Sequence, residues 1–135
     1  MANALFDTGR AAFLGADVDW LADNIKVTLI DVADYTVNLA THDFYDDVAA
    51  AAKVATSGNL ASKTATAGVA DAADVTFTAV TGDPCEALVI WKDTGTAATS
   101  QLIAYIDTAT GLPVTPNGGN ITVTWDNGAN KIFKL

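Results

Sequence analysis

The chain has 135 residues and a formal net charge of −9, from 16 acidic and 7 basic side chains. That length builds one domain with a real core and no need of staples. A field of that sign opposes phosphate backbones and anionic head groups, so nucleic acid and membrane surfaces are excluded as first partners.

Half the residues are hydrophobic, and much of that share is alanine. No apolar run approaches the ~20 residues of a membrane span. The start, MANALFDTGRAAFLGADVDW, lacks a basic segment, and Asp7, Arg10 and Asp17 break its apolar runs, unlike a secretory signal. With one cysteine, Cys85, no intrachain disulfide forms, which suits a reducing cytoplasm.

In chain order, residues 5–15 (LFDTGRAAFLG) predict either a short helix or an ordered arm. As a helix it would be capped by Asp7 or Thr8 and stopped by Gly15. WLADNIKVTLIDV reads as extended, with Val27 and Leu29 on one face and Lys26 and Thr28 on the other. Residues 17–47 hold eight aspartates against the single Lys26, which reads first as a solvated face. A face turned toward cations, or away from an anionic partner, is the functional alternative. In 41–56, Thr41 is placed to cap a short helix over Phe44, Tyr45 and Val48.

From Leu60 onward the pattern is β, with Val75, Phe77 and Ala79 on one face. CEALVIWKD is a continuous apolar run, expected as a central strand covered on both sides. In SQLIAYIDT, alternation puts Leu102, Ala104 and Ile106 on one side, Ile103 and Tyr105 on the other. Pro116–Asn120 and Asp126–Asn130 are reversals, Ile121, Val123 and Trp125 line a half-buried strand between them, and Lys131–Leu135 returns as a last strand. Short strands at about ten-residue spacing indicate an all-β fold, a β-sandwich or jelly roll with a short N-terminal helix or arm. The division is 1–20 as arm or helix, packing on the body or on a partner, and 21–135 as one β-sandwich body.

Chemistry finds few footholds. Asp-Thr-Gly occurs at Asp7–Gly9 and Asp93–Gly95, but paired catalytic aspartates need buried loops sharing a proton. Lys92 beside Asp93 predicts an ordinary ionised carboxylate in a turn. His42, Asp43, Asp46 and Asp47 would share helix faces at i, i+4, yet one imidazole is too few for zinc and the calcium-loop spacing is missing. Cys85 starts a strand with no basic cluster around it, as an inert thiol does. Gly118-Gly119 opens a strand, where a phosphate loop opens a helix. Trp20, Trp91 and Trp125 read as core ahead of sugar platforms. No catalytic, cofactor-binding or metal-binding residue is assigned, and no enzyme is expected.

MANALFDTGRAAFLGADVDWL, DAADVTFTAVTGDPCEALVIWKDTGTAATSQLIAYID and GLPVTPNGGNITVTWDNGANKIFKL together resemble small virion structural proteins of tailed bacteriophages, of the capsid cement or decoration type. The resemblance spans nearly the whole chain and is most distinctive in the tail and LIAYID. It implies a sandwich body, a homo-oligomer such as a dimer or trimer, and binding to a major capsid protein on the capsid surface after synthesis in the host cytoplasm. A tail or baseplate component, and a glycan-binding surface module, are the alternatives. Leu5, Phe6, Arg10, Phe13, Leu14 and Trp20 are the expected partner-contact residues, an arm lying between capsid subunits with Arg10 on a capsid carboxylate. The competing expectation is that they cap the protein's own core. As an arm, residues 1–16 would be removable without unfolding the body.

Overall fold

The computed structural model describes residues 3–135. In chain order it contains β1 (Ala4–Leu5), helix α1 (Asp7–Leu14), β2 (Ile25–Ile30), β3 (Lys53–Thr56), β4 (Val69–Ala70), β5 (Val75–Phe77), β6 (Ala87–Lys92), β7 (Leu102–Ile106), β8 (Ile121–Val123) and β9 (Phe133–Lys134). Five strands make one antiparallel sheet in the order β1-β7-β6-β2-β3, while β4 pairs with β9 and β5 with β8 in two short ribbons. The fold is mainly β with one short helix, as expected.

The apolar run of β6 lies at the centre of the sheet. Leu88 and Ile90 face one core, with Val27 and Leu29 of β2 and Phe77 and Val123 of the β5/β8 ribbon. Ala87, Val89 and Trp91 face a second core, closed by Phe6 and by Tyr35, Tyr45 and Val48 from the long connection between β2 and β3. Burying both faces requires apolar side chains at every position, so the run does not alternate.

Thr28, the polar side of the β2 alternation, is fully buried in the second core. Its hydroxyl accepts from Trp91 Nε1 at 3.0 Å and lies 2.7 Å from the Tyr45 hydroxyl and 3.1 Å from Thr56 Oγ1. A hydroxyl offers one donor and two acceptor sites, so three partners saturate it. The Tyr45 and Trp91 rings stack at 3.9 Å and 9°, and Lys53 Nζ lies 3.9 Å from the centroid of the Tyr45 ring.

Four details differ from the sequence pattern. First, 41–56 holds one-turn 3-10 segments at Tyr45–Asp47 and Ala50–Ala52, with no α-helix, because Phe44 is extended and bridges to Gln101. Second, the β6/β7 register slips between Ile90 and Trp91, pairing Ile90 with Ala104 and Trp91 with Leu102. The extra residue exchanges the faces of Leu102 and Ile103, so Ile103 joins Ala104 and Ile106 in the first core and Leu102 joins Tyr105 in the second. Third, Ala79 is exposed at φ 50°, and the kink turns Val80 inward in its place. Fourth, α1 begins at Asp7 with Phe6 at the cap position and no side-chain cap; Asp7 instead sits in the first turn, where a negative charge suits the helix dipole. Gly15 ends the helix, donating to Ala11 O at 2.9 Å.

The N-terminal segment is part of the body. β1 is the edge strand on β7, Phe6 is fully buried, and α1 presses on the β7 backbone at Gly9. A Cβ at Gly9 would meet Leu102 O at 2.8 Å and Ile103 O at 2.9 Å. Alanine is the better helix former by about 1 kcal/mol, yet backbone cannot yield as a side chain can. Gly9→Ala is therefore expected to destabilise the protein by about 2 kcal/mol, read from the urea midpoint. A stabilised variant would show that α1 is not held against β7.

Candidate assembly surface

The expected contact residues divide into two groups. Leu5, Phe6 and Trp20 lie in the cores, and Phe13 is half-buried against Phe133, with ring centroids 5.8 Å apart. Trp20 meets the same Phe133 ring edge-on at 5.2 Å. These residues cap the protein's own core, the competing expectation. Removing residues 1–16 would take away an edge strand and a fully buried phenylalanine, so the segment is not a detachable arm. Arg10 and Leu14 remain at the surface; Leu14 is 90% exposed at the end of α1, and Leu21, outside the expected set, is 55% exposed. Between them the chain turns on Asp19, whose carboxylate accepts from the Leu21 and Ala22 amides.

β1, α1 and the C-terminal segment enclose a cleft of about 290 Å³. Its lining includes Leu5, Ala104, Ile106, Ile132 and Phe133 as apolar surface, with Arg10, Lys131, Lys134 and Asp126 as its charged groups. The sequence does not announce it, because Arg10 lies more than a hundred residues from Lys131 and Lys134 along the chain.

The reactive candidates are accounted for locally. Asp7 pairs with Arg10 at 3.2 Å. Asp93 pairs with Lys26 at 2.7 Å, a different lysine from the adjacent Lys92, which binds Asp23 at 3.1 Å. Hydrogen bonding to Lys26, then to the Gly95 amide, holds the Asp93 carboxyl below the ordinary value. Asp47 is lowered chiefly by the Asp43 amide. At Asp23, burial raises the pKa but is outweighed by the Asp19 amide and Lys92. His42 Nδ1 accepts from the Asn38 amide at 3.2 Å, which leaves the Tyr35 hydroxyl at 2.8 Å as a second donor, and the two rings stack. Without a helix, His42 and Asp46 share no face.

Among the described residues, Asp31, Asp34 and Asp83 bring carboxylate oxygens within 4.8 Å of one another. Such oxygens suit a hard cation, but exposed acidic trios are common without one. Cys85 is fully buried, and burial pushes its thiol up to about 11. All three tryptophans and all three tyrosines are buried, so none offers a face for sugar stacking. Among the described residues no helix is long and apolar enough to cross a membrane.

The chain matches no protein-family model and no curated protein.

Two outcomes follow from these environments. Cys85 is expected to resist a thiol reagent at pH 8 in the folded protein and to react fully in denaturant; rapid native labelling would contradict its burial. Asp23, Asp47 and Asp93 sit below the ordinary 3.8, so their stabilisation is present above that pH and is lost as pH falls through their folded values. Asp93→Asn is expected to cost about 1 kcal/mol at pH 6 and almost nothing at pH 2. An equal cost at both pH values in denaturant melts would contradict the ion pair.

Proposed function

We propose that the protein is a structural component of a tailed-bacteriophage particle, made in the host cytoplasm, that binds the outside of the capsid and bridges major capsid protein subunits. The same proposal reads the five-stranded sheet and its ribbons as a sandwich, and the working form on the particle as a homo-oligomer. The observation that carries it is the pair of exposed leucines, Leu14 and Leu21, borne on a segment that is itself anchored in both cores. Large apolar side chains on a rigid mount suit a fixed docking knob. Supporting it are the sequence resemblance and a body whose reactive groups are paired or buried. Repetition over a symmetric lattice converts modest individual contacts into high avidity.

Purified protein mixed with shells that lack it, then pelleted, is expected to saturate at a fixed number of copies per shell. Leu14→Asp with Leu21→Asp should lower occupancy about tenfold at equal concentration and leave the melting temperature unchanged, since neither side chain is in the core. Full occupancy by the double variant would reject this docking surface. No binding of the unaltered protein to shells, with binding to tails, would move the protein to the tail or baseplate.

A further inference from the structure

We infer that the cleft between β1 and the C-terminal segment is a binding site for an extended, carboxylate-bearing segment of a partner protein. Of seven basic side chains, four are engaged within the fold. Lys26 pairs with Asp93 and Lys92 with Asp23. Lys63 binds the Asp23 carbonyl, and Lys53 lies over the Tyr45 ring. The other three, Arg10 from α1 and Lys131 and Lys134 from the C-terminal segment, line this one cleft. Arg10 shares an exposed contact with Asp7, and Lys131 bonds the neutral Asn127 side chain at 2.6 Å. Neither Lys131 nor Lys134 forms a salt bridge among the described residues. The cleft has one carboxylate in its lining, Asp126, which accepts from the Gly128 amide at 3.2 Å. A protein of net charge −9 thus brings three of its seven basic side chains to one cleft, two of them outside any salt bridge among the described residues.

The shape specifies an extended ligand. β1 is the outermost strand of the sheet, and the Phe6 amide donates inward to Ile103 O at 3.0 Å. Asn3, Ala4 and Leu5 form one wall of the cleft and residues 130–134 the other, so it runs between two extended stretches of chain. Leu5, Ile132 and Phe133 add apolar surface. Two extended walls, an apolar floor and cations on the rim fit an extended segment in which apolar and acidic side chains alternate. A nucleic acid fits poorly, since the overall field repels it and Asp126 lies in its path. The inference does not rest on the capsid assignment and is tested without shells.

The probe is a fluorescein-labelled hexapeptide alternating valine and glutamate, read by anisotropy on the intact protein. It is expected to bind, more weakly as salt rises. Lys131→Glu with Lys134→Glu should weaken it about tenfold, while Lys53→Gln leaves it unchanged; unaltered melting temperatures show that the variants fold. Absence of binding, equal binding of a valine–lysine hexapeptide, or indifference to the double reversal would overturn the site. Binding of a single-stranded oligonucleotide that competes with the peptide would overturn the assignment to protein. Sedimentation showing self-association that the double reversal abolishes would replace the partner with a second copy of the chain.

Discussion

The sheet can be buried on both faces only because one hydroxyl resolves the polar position inside it. Thr28 lies on the face of β2 that alternation would hand to solvent, yet it has no exposed surface. Unpaired, a buried hydroxyl costs on the order of 1–3 kcal/mol. Here it gathers the Trp91 indole, the Tyr45 hydroxyl and Thr56, and the same contacts tie β2, β3, β6 and the β2–β3 connection together. The Tyr45 ring, stacked on Trp91, then forms the lid that seals the second core. The sheet behaves as the middle layer of the molecule, and the surface segments take their positions from it.

Much of this was legible in the sequence, for identifiable reasons. The unbroken run in β6 announced a strand covered on both sides, and Asn-Gly and Asp-Asn-Gly announced reversals, because those signals depend only on local chemistry. What could not be read were features set by pairing partners. The slip at Ile90 that exchanges Leu102 and Ile103 is a property of two strands. The loss of a helix over 41–56 follows from the bridge between Phe44 and Gln101. Of the candidate contact residues, the sequence marked a cluster of large side chains but could not separate the buried Phe6 from the exposed Leu14. At Phe6 that decision rests on β7, about a hundred residues away.

The aspartates show a division of labour that net charge hides. Asp19, Asp31, Asp47, Asp93 and Asp126 each accept from a backbone amide two to four residues away. An apparent solvated face is in large part turn chemistry, with the carboxylate replacing a backbone acceptor. Lysines are rationed against this background. Lys26 and Lys92 pin Asp93 and Asp23, so the ends of β2 and β6 are fastened by charge as well as by ladder bonds. The basic side chains left over are those of the cleft.

The aromatic contact that joins the two extremities of the described chain bears on how the molecule is made. Trp20 and Phe13 rest on Phe133, and Asn3 holds the Asp107 and Thr108 amides through its side chain. A nascent chain emerging from the ribosome has the helix long before the residues that roof it. Closing loops of that span is slow, and the uncovered indole and phenyl rings are the surface a chaperone would meet first. Until the C-terminal segment has been made, Phe13 and Trp20 therefore lack the ring that covers them in the native state.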